Sequence, residues 1–236
     1  MSNSYKGDYK DFLKALGYRE SGGRYDIENS YGYLGKYQMG EMALQDAGYY
    51  KGDSTPRKND WIGEWTGKDG VWSKEDFLNN PQAQENAIRE YHRKVWKYIK
   101  ALDLDEYVGK TVAGVYITES GLLGGAHLVG VRSLAKFLKS GGREIPKDGY
   151  GTPITEYLAK FSGYDISEIT GNVSMSSEEK NKLQEELDFN WDIPSSSDIP
   201  NYEEPPREKD GGTSGSGIFD LIIGIFRAIF SIFSKK

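Results

Sequence analysis

Apolar residues recur at helical spacing in the first part of the chain. The positions that share one face of the first such segment are Tyr9, Leu13, Leu16 and Glu20. Their separations of four, three and four residues place them on one side of a helix over residues 5–21. Gly22 and Gly23 follow, and glycine accepts the left-handed conformation that ends many helices. The pattern predicts an amphipathic helix whose last inward-facing member is a carboxylate.

The same spacing predicts several further helices and very few strands. The longest covers residues 81–102, with Asn80 as its N-cap, Pro81 as its first residue and His92 on its polar side. Shorter helices are predicted at residues 39–47, 133–139, 153–161 and 176–187. Short strands are indicated only near residues 31–37. We therefore expect a mainly α fold with a small β element.

The composition divides the chain into three parts. Residues 1–172 have the apolar content of a folded domain. Residues 173–217 are acidic, contain four prolines and end in a Gly/Ser-rich run, which predicts a disordered tether carrying one short helix. Residues 218–236 are strongly apolar and predict a C-terminal helix.

The C-terminal segment has the pattern of an amphipathic helix with a narrow polar stripe. The stripe consists of Asp220, Gly224, Arg227, Ser231 and Ser234. As a helix, residues 218–233 extend about 24 Å, which is shorter than the hydrocarbon core of about 30 Å. We expect an interfacial membrane anchor or a helix that docks in a protein groove. The alternative is a helix packed on the domain's own surface.

Composition narrows the classes of function. The net charge of −6 argues against a nucleic-acid-binding protein, which would show a basic stripe. The 17 tyrosines and 5 tryptophans favour carbohydrate, because sugar rings stack on aromatic faces. The absence of cysteine excludes disulfides and thiolate metal sites. The first residues have no apolar run after their positive charge, so we expect no Sec signal peptide.

Glu20 is the leading candidate for chemistry. A carboxylate at the rim of an apolar face is partly desolvated, which raises its pKa and keeps it protonated near neutrality, as a general acid requires. The alternative is a solvated residue or an ion partner of Arg19 or Arg24. Glu119 is a second candidate, because Val112 and Val115 precede it at helical spacing on one apolar face.

Residues 49–72 form an irregular segment with three tryptophans, Trp61, Trp65 and Trp72. We interpret it as an insertion that lies along a groove or caps the core. The acidic residues of this segment are Asp53, Asp60 and Asp69. They lack the regular spacing of a calcium-binding loop, so we expect solvated acids, no metal site and no cofactor.

Two blocks of sequence carry a resemblance to a known family. The first is Glu20-Ser21 followed by Gly35-Lys-Tyr-Gln-Met39, and the second runs through residues 76–87 with Asp-Phe and Pro-x-x-Gln. In this order, over roughly residues 9–165, they resemble the catalytic core of lysozyme-like muramidases and lytic transglycosylases, phage endolysins included. In that family a Glu-Ser pair at a helix end faces a Gly-x-x-Gln or Gly-x-Tyr-Gln segment across the sugar groove.

The resemblance implies a lysozyme-like α-helical domain that cleaves the β-1,4 bond between MurNAc and GlcNAc in peptidoglycan. It implies Glu20 as general acid. The implied substrate-binding residues are Ser30, Tyr37, Gln38 and Tyr116. The candidates for a second carboxylate, which would make the enzyme a hydrolase, are Asp26, Glu28, Glu41 and Glu119. Without one, the sugar's own 6-hydroxyl attacks, as in the transglycosylases. The Ala-Tyr-Asn ending of many transglycosylases is absent.

The same resemblance sets expectations about partners and location. Peptidoglycan is the expected substrate, and a secreted antibacterial effector or a lysis protein is the expected role. The protein would be made in the cytoplasm and act in the periplasm or wall after non-classical delivery. An immunity protein, a chaperone or a secretion-machine component would be further partners. The rival hypotheses are a non-catalytic wall-binding or secretion-apparatus module, and a membrane-active protein whose C-terminal helix is the effector.

Overall fold

The computed structural model describes residues 5–53, 55, 58–171 and 173–190. This part of the chain is mainly helical with small strands, which confirms the predicted helical character. Its helices are α1 (Tyr9–Ser21), α2 (Glu41–Asp46), α3 (Lys74–Leu78), α4 (Pro81–Ala101), α5 (Glu119–Val129), α6 (Val131–Lys139), α7 (Ile154–Lys160), α8 (Ser167–Thr170) and α9 (Ser177–Asn190). The predicted C-terminal helix at 218–236 lies outside the described residues. Within them, no helix combines the length and the apolar character needed to cross a membrane.

Helix α1 is capped by Asp8 at its N-terminus and by Gly22 at its C-terminus. It starts at Tyr9 rather than at residue 5, because Asp8 and Asp11 form a reciprocal capping box at its N-terminus. It ends at Gly22, which adopts a φ of +67°. Glu20 therefore occupies the last turn of α1, as the sequence predicted.

Helix α4 runs through the centre of the domain. It begins at Pro81 after Asn80, whose side chain accepts a hydrogen bond from the backbone of Ala83 (3.0 Å). It contacts α2, α3, α5, α6, α8 and α9. The prediction that His92 lies on a polar side is wrong: the ring is fully buried, and its Nδ1 lies 2.9 Å from the Tyr9 hydroxyl. Neighbouring helices cover a face that looks polar in the sequence.

The segment at 49–72 caps the core. It contains the antiparallel pair β1 (Tyr50–Lys51) and β2 (Glu64–Trp65) and a 3₁₀ turn at Lys68–Gly70. Trp65 is buried and stacks on Trp61, with ring centroids 5.4 Å apart, whereas Trp72 is 69% exposed. Of the two interpretations of this insertion, the structure supports the cap.

A second hairpin precedes α5, where a helical face was predicted. Strands β3 (Thr111–Val112) and β4 (Val115–Tyr116) pair through a turn in which Ala113 and Gly114 both have positive φ. Thr118 then caps α5, and Glu119, its first residue, is exposed and accepts a hydrogen bond from Thr170 (3.0 Å). The prediction that Glu119 lies on a buried apolar face is therefore wrong.

Helix α9 extends the compact domain past the predicted boundary at residue 172. The helix predicted at 176–187 is present, and it packs on α4 by burying Leu183 and Leu187. Glu186 pairs with Lys94 of α4 (2.8 Å). Residues 177–190 therefore belong to the folded unit rather than to a tether. The acidic composition predicted a tether because only one narrow edge of this helix is apolar, and that edge is enough to pack on α4.

Candidate functional site

Ser21 joins the end of α1 to the turn at residues 35–39. Its side chain is buried, and its hydroxyl lies 2.8 Å from the carbonyl oxygen of Lys36, to which it donates. The two halves of the first sequence block are thus in direct contact. This contact fixes the last turn of α1, and with it the position of Glu20.

Gln84 holds the same turn from α4. Its Oε1 accepts a hydrogen bond from the backbone of Lys36 (2.9 Å), and its Nε2 donates to the carbonyl of Phe77 (2.8 Å). Gly35 has a φ of +69°, and a Cβ there would lie only 2.1 Å from the Gln84 side chain. The glycine is therefore required both by the turn and by the approach of Gln84. The Pro-x-x-Gln element of the second block thus supports the first.

Glu85 is a partly buried acceptor beneath the turn. Its carboxylate accepts hydrogen bonds from Lys36 (2.6 Å), Tyr37 (2.8 Å) and Tyr25 (2.8 Å). Burial raises the pKa of Glu85, but these three donors outweigh burial and hold that pKa below its ordinary value. Glu85 is therefore an ionised anchor for the turn. No local pattern in the sequence marked Glu85 as a partner of this turn.

The turn residues Tyr37 and Gln38 serve the scaffold. Tyr37 is buried, its hydroxyl donates to Glu85, and its carbonyl oxygen lies 3.1 Å from His127 Nε2. Because no part of Tyr37 faces solvent, the prediction that it binds substrate needs correction: it supports the turn from below. Gln38 is half-buried, has a φ of +47° and donates through Nε2 to the carbonyl of Gly35 (2.9 Å).

Glu20 is half-buried at the end of α1, and its carboxyl is bound by a residue from α7. The Tyr157 hydroxyl donates to Glu20 Oε1 at 2.6 Å. Burial raises the pKa of Glu20 to about 7, and this effect exceeds the opposing effects of the Tyr157 hydrogen bond and the Arg19 charge. Near neutral pH a large fraction of Glu20 is therefore protonated.

The two arginines near Glu20 are engaged elsewhere. Arg19 donates to Glu156 (3.1 Å) and lies over the ring of Tyr157, while Arg24 donates to Asp26 (3.2 Å). Among the described residues, neither Arg19 nor Arg24 forms an ion pair with Glu20, so the interpretation of Glu20 as their ion partner is not supported. Arg19 acts on Glu20 only through its charge.

Asp148 is the carboxylate whose negative charge raises the pKa of Glu20. It lies in the turn that precedes α7. Its Oδ1 accepts hydrogen bonds from the backbone N–H groups of Tyr150 (3.0 Å) and Thr152 (2.7 Å). These bonds fix the carboxylate and leave Oδ2 without a partner among the hydrogen bonds of the described residues. Asp148 was not among the sequence candidates, because nothing local marks a turn residue as a neighbour of Glu20.

The four predicted second carboxylates have other partners. Asp26 pairs with Arg24, Glu28 pairs with Lys74 (2.9 Å), and Glu119 accepts from Thr170. Glu41 is fully buried at the start of α2 and accepts from the backbone N–H of Trp61. Of these five carboxylates, Asp148 is the one whose charge contributes to the raised pKa of Glu20.

One exposed aromatic side chain, Tyr150, lies in the turn that carries Asp148 and contacts Tyr31 of the loop after α1. The rings of Tyr31 and Tyr150 meet edge to face, with centroids 5.1 Å apart, and Ser30 Oγ lies 3.4 Å from the Tyr150 hydroxyl. Tyr116 is 59% exposed on β4, which contacts α7. Ser30 and Tyr116 are thus at the surface, as their predicted role requires. Exposed aromatic faces with adjacent hydroxyl groups suit a sugar ligand.

Comparison of the chain with models of known protein families, with curated proteins and with solved structures found no match. The lysozyme-like resemblance therefore rests on the two sequence blocks alone. Any function inferred for Glu20 depends on the contacts and the pKa of its carboxyl group.

Proposed function

We propose that the protein cleaves the glycan strand of peptidoglycan at the β-1,4 bond between MurNAc and GlcNAc, with Glu20 as general acid. The observation that carries the proposal is the carboxyl group of the half-buried Glu20, which the Tyr157 hydroxyl binds and whose pKa of about 7 suits proton donation at neutral pH. The substrate class is inferred from the motif resemblance and from the exposed tyrosines of the Asp148 turn and of the loop after α1.

In the proposed reaction, Glu20 gives its proton to the glycosidic oxygen while the bond from that oxygen to C1 of MurNAc breaks. The sugar passes through a state with oxocarbenium character, and Glu20 is left as a carboxylate. The Tyr157 hydroxyl stabilises that carboxylate by its hydrogen bond, as the negative charge develops. Tyr157 is therefore a positioning residue that tunes Glu20.

Asp148 completes the proposed site as the second carboxylate. Its charge already acts on Glu20, which is expected of two groups that share one cleft. Asp148 would either orient a water molecule for attack at C1 or attack C1 itself. If the sugar's 6-hydroxyl attacks instead, Glu20 takes its proton and an anhydro sugar forms. The product therefore reports which group attacks.

The test is clearance of purified peptidoglycan by wild type and by Glu20→Gln, at a pH below 7, with product analysis by mass spectrometry. We expect Glu20→Gln to lose at least about 100-fold in rate, because the amide cannot donate a proton. Glu90→Gln is the control, since Glu90 is partly exposed and pairs with Arg93 of its own helix. Equal clearance by wild type and Glu20→Gln would exclude Glu20 as the acid.

The second candidate is a wall-binding module without catalysis. Exposed tyrosines favour it, because aromatic side chains bind sugars whether or not a carboxyl group is poised. This candidate predicts that wild type sediments with peptidoglycan but releases no fragments. Loss of sedimentation in Tyr150→Ala without any measurable cleavage in wild type would establish it.

Delivery to a wall follows from the same proposal. We place the protein with antibacterial effectors or lysis proteins, for which an immunity protein, a chaperone or a secretion component would be partners. Expression in the bacterial cytoplasm and in the periplasm tests this. Toxicity limited to the periplasmic form, and lost in Glu20→Gln, is expected. Cytoplasmic toxicity that survives the substitution would point to the apolar C-terminal segment.

A further inference from the structure

A group of three carboxylates lies beside the core-capping hairpin. Glu41 is the first residue of α2, Asp53 follows β1, and Asp60 precedes β2. One carboxylate oxygen from each residue lies within 4.8 Å of the corresponding oxygens of the other two. From the sequence, Asp53 and Asp60 were predicted to be solvated loop acids and Glu41 was a candidate for the second carboxylate of the catalytic site. The structure instead brings the three together.

Glu41 differs from an ordinary surface acid because its side chain has no exposure to solvent. Its Oε1 accepts the backbone N–H of Trp61, a residue held in the left-handed region with a φ of +57°. Its Oε2 is buried and has no hydrogen-bond partner among the described residues. A buried carboxylate oxygen without a donor is costly, so the group points to something that satisfies it.

The surrounding hydrogen bonds position the other two carboxylates. The Thr55 hydroxyl lies 3.1 Å from Asp53 Oδ1 and 2.9 Å from Asp60 Oδ2. The Tyr50 hydroxyl donates to Asp53 Oδ2 at 3.3 Å. The backbone N–H of Thr55 also donates to Asp53 Oδ1 at 2.7 Å, so Asp53 is well supplied with donors. None of these donors reaches Glu41 Oε2, which is therefore the oxygen of the cluster that lacks compensation.

Two agents would relieve the negative charge of this cluster: a proton or a cation. A divalent cation would satisfy all three groups at once, whereas one proton neutralises only one.

We propose that Glu41, Asp53 and Asp60 form a binding site for a divalent cation of the calcium type. Calcium takes six to eight oxygen ligands at about 2.3–2.6 Å, so two of its ligands can lie up to about 5 Å apart. The separations in this cluster, all within 4.8 Å, are compatible with that span. Magnesium, at about 2.0–2.1 Å, spans only about 4 Å and demands near-ideal octahedral geometry, which a cluster drawn from one helix and a loop meets less readily than the flexible coordination of calcium. Water would supply further ligands.

The bound ion would join α2 to the loop between β1 and β2. Because Trp61 and Trp65 of that segment cover the core, the site would stabilise the cap of the domain. The ion would have a structural role, so the proposal stands independently of glycan cleavage.

The test uses the full chain, freed of metal with EDTA and titrated with calcium chloride or magnesium chloride at constant ionic strength. We expect calorimetry to show one calcium ion per chain, bound more tightly than magnesium. Saturation should raise the Tm by roughly 5–10 °C. Asp60→Asn, at an exposed position that tolerates an amide, should weaken calcium binding at least tenfold. Asp53→Asn and Glu41→Gln should do the same.

Glu64→Gln is the matched control, since Glu64 lies in the same hairpin but pairs with Lys51 (2.6 Å). It should bind calcium as wild type does. A wild-type Tm that does not respond to millimolar calcium would overturn the proposal, as would equal binding by Asp60→Asn and the control. A Glu41→Gln variant that is more stable than wild type, with no calcium response in either, would show that a proton alone occupies the site.

Discussion

Glu20 and Glu41 share a pKa of about 7 but differ in nearly everything that decides its use. In both, burial is the largest cause of the shift. Glu20 accepts from a tyrosine hydroxyl and is partly open to solvent, whereas Glu41 is closed off and faces Asp53 and Asp60. A protonated carboxyl that a ligand can reach is a proton donor. A buried carboxyl among other carboxylates is a place for a cation.

The comparison shows why a raised pKa by itself does not identify an acid catalyst. The shift records only that the charged form is disfavoured. Access and neighbours then separate the two residues. The Tyr157 hydroxyl favours the ionised form of Glu20, whereas the carboxylates near Glu41 make its ionised form more costly.

Among substitutions at the neighbours of Glu20, removal of the Asp148 charge should reduce the rate of cleavage most. We expect Asp148→Asn to reduce peptidoglycan cleavage about 100-fold, because the second carboxylate is lost. The basic limb of its pH–rate profile should also move to lower pH, since the Asp148 charge raises the pKa of Glu20. A rate within a few-fold of wild type, with anhydro sugars as products, would show that the substrate's own hydroxyl attacks.

Tyr157→Phe should shift the profile in the opposite direction. The Tyr157 hydroxyl favours the ionised form of Glu20, so its loss should raise the pKa of Glu20 and move the basic limb to higher pH. We expect the maximal rate to fall about tenfold, because a charge-assisted hydrogen bond to the product carboxylate is gone. An unchanged limb would mean that Glu20 does not control this part of the profile.

Glu20→Gln should stabilise the fold in a way that depends on pH. In the folded protein the pKa is about 7, above the unfolded value of 4.5. Below pH 4.5 the folded and unfolded states both keep the carboxyl proton, so ionisation of Glu20 costs wild type no stability there. As the pH rises from 4.5 through 7, wild type loses stability that the amide variant retains.

The expected gain for Glu20→Gln at pH 8 is on the order of 1–3 kcal/mol in the free energy of unfolding, after allowance for partial exposure. Urea denaturation of wild type and variant across this pH range measures it. A difference that does not change with pH would indicate that the pKa of Glu20 is ordinary.

Ser21→Ala should have the smallest effect of the series. It removes the buried donor to the Lys36 carbonyl and should cost about 1–2 kcal/mol of stability. Ser30→Ala, at an exposed position, should change stability by less than about 0.5 kcal/mol. If both serine variants are equally stable, the contact between α1 and the 35–39 turn does not hold Glu20 in place.

Local signals in the sequence located one half of the site. The spacing of Tyr9, Leu13 and Leu16 correctly placed Glu20 on the inner rim of α1, and glycine marked where that helix ends. Asn80 and Pro81 likewise marked the start of α4. These features depend on neighbours within a few positions, so a pattern reveals them.

The other half depends on contacts between distant segments. Tyr157 is 137 residues from Glu20 in sequence, and neither its own surroundings nor those of Asp148 mark them as partners. His92 was misplaced for the same reason, because burial of its helix face is decided by α1 and α5 rather than by its neighbours in sequence. The Glu41 cluster joins three segments that are separate in sequence.

The most direct measurement is an NMR titration of the side-chain carboxyl carbons, in wild type and in Glu20→Gln, with and without calcium. The account predicts a carboxyl resonance that titrates near pH 7 in wild type, is absent from the variant and is the same with and without calcium. A Glu20 resonance that titrates near the ordinary value of 4.5 would contradict it, because the residue would then be ionised at neutral pH and unable to act as the acid.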